Sequence, residues 1–419
     1  NDVLAKAETG NITITGDTTG ANDVAINTTD GDITVKGDTE ATTGNVTMGA
    51  TTGNVTMGAT TGNVTMGATT GDVTLSGNTT AKAGDIKVTL GTATKGGITV
   101  NGNLVANQDI NISTNKGNVG ITGSLTSGLD TTVTTTEGII TLDKGENKYL
   151  VQSGKDVSIS TGTGAITATG NITGTNNVAL NTTDGDITIK GDTEATEGTV
   201  TIGTAEKGNI GVTGNLTSGK DTTIATNKVG NITLDGDITS SEDTLVSTKE
   251  GNITLVAGTD INATKDITLS IETGSITGSK SNLISGNNLI AKAINGVIKL
   301  AGLMKADKDI SVNTTTGSID LAGERVANNV TIGAATGDVT LTGNTTAKAG
   351  DVKVTLGTAK DKGITVNGNL VANNNVDISS TTGNVTITGD ITAENDVLAK
   401  AETGNITITG DTTGANDVA

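Results

Sequence analysis

Valine and isoleucine recur in pairs two residues apart, with small polar residues between them. In NDVAINTTDGDITVKGDTEA (22–41) the first pair is Val24 and Ile26, the second Ile33 and Val35, and a short third segment ends in Ala41. Alternation with period two marks short strands that bury one face. Turn residues separate them, at 28–31 and at Gly37-Asp38. The same order returns at 107–127, 176–195, 307–327 and 373–393, so one unit is about 21 residues long. The third segments repeat the alternation with Leu125 and Ser127, Leu216 and Ser218, and Ile391 and Ala393.

Three short strands per unit, with no helical stretch between units, cannot bury their apolar faces alone. Stacking solves this in an all-β fold, a right-handed parallel β-helix (β-solenoid), in which each strand pairs with its counterpart in the next coil. About 20 coils of about 21 residues, three strands each, fit the chain. At about 4.8 Å per coil they make a rod on the order of 95 Å long.

Composition agrees. The 419 residues include 60 Gly but no Pro, Cys, His, Trp or Phe, with one tyrosine (Tyr149) and one arginine (Arg325). Proline would break the ladders of strands paired on both sides, and a narrow core takes Val, Ile, Leu, Ala and Thr rather than rings. Low hydrophobicity (33%) and a net charge of −19 also suit a disordered chain, but the regular pattern argues for order. Without cysteine there is no disulfide framework, thiolate metal site or cysteine nucleophile. No apolar run is long enough to span a bilayer, so a soluble or secreted chain is expected.

The stretch TTGNVTMGATTGNVTMGATTGNVTMGATTGDVTLSGNTTA repeats nine residues, placing Val46, Val55, Val64 and Val73 nine apart, the usual step from first to second strand. Residues 64–81 are expected to make a complete coil, and the nine-mers around Val55 an inserted two-strand coil lacking its third side. Met48, Met57 and Met66 fall at inward positions, where a flexible side chain suits an irregular gap. Longer near-copies overlie the coils: 63–113 returns at 329–379, and 22–45 at 176–199. Residues 1–25, NDVLAKAETGNITITGDTTGANDVA, are identical to 395–419. The expectation is a single continuous repeat segment, 1–419, with uncapped ends, cut from a longer array with a 394-residue super-repeat.

The coil pattern in DVLAKAETGNITITGDTTG resembles the repeats of filamentous-haemagglutinin-type exoproteins, giant adhesins exported by two-partner secretion. The resemblance covers essentially the whole chain, although the Asn-Pro-Asn-Gly-type motif of their secretion domain has no counterpart here. It implies an extracellular β-helical rod serving reach, adhesion or surface architecture.

Other functional classes fit less well. Sugar-cleaving β-helices need converging acids and bases and aromatic platforms, whereas Asp23, Asp32 and Asp38 recur as turn residues. Calcium favours oxygen ligands, yet Asp32, Asn45, Asp72 and Asn384 mix carboxylate with amide at the corners, which dilutes like charge. Outward threonines of the second strand (Thr13, Thr34, Thr74, Thr99, Thr188, Thr233, Thr254, Thr340, Thr365, Thr386, Thr407) form an ice-binding-like column that Gly120, Gly211, Lys299 and Asp320 interrupt. Threonine is also a good strand residue on a wet face. Triplets such as 11–13 and 171–173 match the glycan-acceptor pattern, which an Asn- and Thr-rich repeat also produces by chance. A pI near 4.3 disfavours nucleic acid and anionic membranes. LDKGENKYLVQSGKD (142–156) leaves the coil pattern and reads as an irregular third side, with a protruding loop or lateral contact as the alternative.

The sequence therefore points to a structural fibre segment of a giant bacterial cell-surface adhesin, not an enzyme, with no catalytic, cofactor-binding or metal-ligating residue. Expected partners are continuation of the same chain or head-to-tail copies, lateral contacts with itself, and a host or neighbouring cell surface, without nucleic acid or membrane insertion. The alternative is a side-by-side assembling sheath or surface lattice.

Overall fold

Period-two alternation becomes a parallel ladder when the outward residues are small and the inward ones are branched. The computed structural model describes residues 1–52, 55–82, 84–143, 149–358 and 362–419, with side chains at 38, 42–43, 52, 55–62, 93–95 and 149 outside the description. The chain is all-β, a solenoid of parallel stacked coils with about 18 turns of about 22 residues. No helix occurs among the described residues. Packing groups it into two units, Asn1–Lys207 and Gly208–Ala419.

In the first unit the first side of the coil stacks Val3 on Val24, Val24 on Val46, Val46 on Val64 and Val64 on Ile86. The column continues through Ile110, Thr131, Val157, Val178 and Val200. The second unit has a first-side column of its own, through Thr222, Thr244, Ile267, Leu289, Ile310, Val330, Val352, Val376 and Val397. The inward positions named from the sequence are buried: Val24, Ile26 and Ile33 are fully enclosed, as are Leu125, Leu216 and Ile391. Turns are fewer and longer than the expected 20 of 21 because some corners are wide, with 26 residues from Thr131 to Val157.

The nonapeptide stretch corrects one expectation. The coil from Val46 to Val64 keeps its third side: Thr60 pairs with Thr39 below and with Thr79 above. The coil is shortened at its corners instead. Four residues separate Glu40 from Asn45, but one separates Thr61 from Asn63, and Gly58 alone replaces the pair Lys36-Gly37. A missing side would orphan the backbone groups of both neighbouring coils, whereas a tighter corner leaves every ladder paired. Met48 and Met66 point inward and are buried; the Met57 side chain lies outside the described residues. So does 144–148, within the irregular stretch near Tyr149, after which Val151 rejoins the third side against Leu125.

Hydroxyls also enter the core at the corners. Thr135, Thr161 and Thr182 donate to the carbonyls of Gly117, Gly138 and Gly164 on the preceding coil at 2.9–3.1 Å. Gly164, at φ 135°, needs glycine twice over, for the left-handed backbone and because a Cβ would run into the Gly138 carbonyl. In the second unit Ser218, Thr222, Ser240 and Thr244 form a buried hydroxyl chain with steps of 2.8–2.9 Å.

Candidate interaction surfaces

The corner Asp and Asn residues are held in ladders by the strands they precede. Before the first side in the first unit, the backbone N–H of Asp130 donates to Asp109 Oδ1 (3.0 Å), that of Asp156 to Asp130 (3.1 Å), and that of Asn177 to Asp156 (2.8 Å). Asp23 accepts from the Asn45 N–H at 2.7 Å, and Asn11 from that of Asp32 at 2.8 Å. In the second unit Asn209, Asn231 and Asn252 accept, each at 2.9 Å, from the N–H one coil on, and Asn384 from that of Asn405. A third ladder runs from Asn215 through Asp237 and Asp260 to Asn282.

Either side chain supplies the accepting Oδ1, which explains why Asp and Asn interchange. The corner oxygens thus satisfy backbone donors that the turns would otherwise leave to solvent. The visible signal was an Asp or Asn immediately before each strand; its partner, one coil away, was not visible. The Asp38 side chain lies outside the described residues. Among the described residues no group of three or more acidic, His or Cys side chains is arranged to hold a metal ion. Asn171, in a glycan-acceptor triplet, likewise accepts from the Asp192 N–H at 3.1 Å.

The threonine column of the second side is confirmed as a register, with Thr13 on Thr34 and Thr74 on Thr99 in the first unit. In the second unit Thr340, Thr365, Thr386 and Thr407 follow one another. Two interruptions, Lys299 and Asp320, are themselves neighbours on successive coils and form an ion pair at 2.9 Å. Lys299 is exposed and Asp320 half-buried at a wet face, so the pair contributes about 0–1 kcal/mol.

Each unit carries a shallow groove at the end of the first side, where outward residues shrink to glycine. One, of about 390 Å³, runs past Lys6, Asn27, Gly49, Gly67 and Thr89. The other, of about 550 Å³, passes Lys292, Asn313, Gly333, Thr355 and Lys400. Glu402, at its margin, is paired with Lys400 at 2.9 Å. The outward groups along each groove stand in single file, with amides, hydroxyls and ammonium groups interleaved with glycine and alanine.

Arg325, the single arginine of the chain, points into the core and is 1% exposed. Its Nε donates to Thr345 Oγ1 (2.8 Å), Nη1 to the carbonyls of Leu321 and Thr342 (both 3.3 Å), and Nη2 to those of Thr342 (3.4 Å) and Gly343 (2.6 Å). Burial away from water pushes its pKa below the ordinary arginine value, to about 10. No helix among the described residues is long and apolar enough to cross a membrane. No protein-family model, curated protein or solved structure matches the chain.

Proposed function

We propose that the chain is a non-catalytic, structural segment of a secreted fibre or giant cell-surface adhesin. The observation that carries this reading is the use to which its polar groups are put. The corner carboxylates and amides, the obvious candidates for chemistry, are committed to coil-to-coil ladders. The outward groups that remain stand in single columns, which suit extended contact rather than convergence on a reacting atom.

Stacking supplies a partner of the same kind. Residues 395–419 stand on the coil before them with Val397 on Val376, Ile406 on Val385 and Thr412 on Ile391. Residues 1–25 have the identical sequence, so a coil like 373–394 is a matching surface for them too. The reading is that such a coil comes from the same polypeptide in a longer array. The absence of cysteine and the haemagglutinin-type pattern of the coils support an extracellular setting.

Antibody labelling of intact source cells, with mass measurement of the denatured antigen, tests this. Surface label on thin unbranched fibres and a very large single chain are expected. A band near 41.4 kDa would instead favour polymerised subunits, and fibres associated side by side would favour a sheath. Label confined to the cell interior refutes the proposal.

A further inference from the structure

Repetition creates a register problem. The first-side column of the second unit reads Ile310, Val330, Val352 and Val376, so a coil that skips its neighbour meets nearly the same apolar partner. Hydrophobic matching alone specifies such stacking weakly. We propose that Arg325 is a register-specifying residue, whose guanidinium Nε is satisfied only when the coil carrying Thr345 stacks directly upon its own.

Arg325 occupies the first inward position of the third side, where the column runs Leu283, Met304, Arg325, Thr345, Leu370, Ile391. Four of its five hydrogen bonds go to Thr342, Gly343 and Thr345 on the following coil, and the fifth to Leu321 on its own. None of these partners is a carboxylate, so the cation rests on oriented oxygens alone. If the coil from Val330 were skipped, Leu370 would replace Thr345 and Nε would face hydrocarbon. The carbonyls of Asn367 and Gly368 would stand in for those of Thr342 and Gly343, but a buried charged donor left without its acceptor is costly. One polar residue in an otherwise degenerate apolar seam is how coiled coils fix their register, and the same logic applies to stacked coils.

The near-copy sharpens the point. Thr79 holds in 63–113 the place that Thr345 holds in 329–379, but the coil beneath it presents Thr60 and its hydroxyl has no hydrogen-bond partner. In the segment from 329 the equivalent hydroxyl is met by the Arg325 Nε–H from the coil below. The inference concerns folding and does not depend on the extracellular role.

Because the chain has no cysteine, register can be read by cross-linking. Val326, Thr346 and Val371 are outward neighbours on three successive coils. The pair Val326→Cys/Thr346→Cys reports the native register, and Val326→Cys/Val371→Cys reports a skipped coil, each oxidised to a disulfide after denaturation and refolding, because a disulfide joins Cα atoms up to about 7 Å apart and so links adjacent coils, about 4.8 Å apart, but not alternate ones at about 10 Å. With Arg325 present, only the first pair should link. Arg325→Met, which extends the column from Met304, should leave exchange protection of the residue 325 amide, which donates to Asn344 O at 3.0 Å, unchanged or higher while the skipped-coil product rises several-fold. Thr345→Val, which keeps the cation and removes its Nε acceptor, should shift the products the same way. Refolding of Arg325→Met into the native register alone overturns the proposal. So does its loss of stability or failure to fold, because Arg325 would then be a stabilising clamp.

Discussion

Thr79 and Thr345 are equivalent in two near-copied segments and both fully buried, yet the same substitution should act on them in opposite directions. The Thr79 hydroxyl has no hydrogen-bond partner, and a desolvated, unsatisfied polar group costs about 1–3 kcal/mol. Valine keeps the shape and removes the oxygen, so Thr79→Val should stabilise its coil by about 1–2 kcal/mol. Thr345 Oγ1 accepts the Arg325 Nε–H at 2.8 Å. Thr345→Val leaves that charged donor facing hydrocarbon, at a loss of about 1.5–3 kcal/mol. A global melting temperature is a poor gauge because stacked repeats unfold piecewise. Local amide exchange is better: the residue 79 N–H donates to Asn103 O at 2.8 Å, and that of residue 345 to Asn369 O at 2.9 Å. Protection should rise about tenfold at the first site and fall about tenfold or more at the second, about 1.4 kcal/mol per decade. Shifts of the same sign at both would refute the reasoning.

Ile387 is fully buried, so Ile387→Asp forfeits about 2–3 kcal/mol of apolar burial and buries a charge. A local loss above about 4 kcal/mol is expected, and unchanged exchange protection of the Gly389 amide, which donates to Thr409 O at 2.9 Å, would contradict the inward assignment. Lys280 holds φ 57°, a left-handed conformation that costs a side-chain-bearing residue about 1–2 kcal/mol. Lys280→Gly should therefore raise local stability by about 0.5–1 kcal/mol, read from exchange of the Ser281 amide, which donates to Ala301 O at 2.8 Å. Asn231 accepts the Asn252 N–H at 2.9 Å; Asn231→Ala should deprotect that amide by about 1 kcal/mol, whereas Asn231→Asp, which retains the accepting oxygen, should lose less.

The alternating pairs disclosed the fold. Val24, Ile26, Ile33 and Val35 were assigned to the interior from period two alone, and each is buried, because on a strand successive side chains must take opposite faces. The 21-residue recurrence disclosed stacking for a similar reason: three short strands have no other way to cover their apolar sides. What the corners do was legible only in part. Gly-Asp and Gly-Asn marked turns, but the oxygen of Asp130 meets the N–H of Asp156, 26 residues on, while that of Asp109 meets Asp130, only 21 on.

That spacing was decided by the tertiary structure. The nonapeptide coil keeps three sides within 18 residues because the ladders above and below it demand a partner for every strand, and the corners absorb the difference. Lys299 and Asp320, apparently two flaws in a threonine column, become one ion pair once the register places them on adjacent coils. Arg325 follows a turn much as the other third segments do, and nothing in its local sequence says that its fork will find four oxygens across the corner. Local alternation determines which face a residue takes, since that depends on the strand's own geometry; which atom it meets depends on the coil stacked upon it, and only the accumulated lengths of the intervening corners fix that.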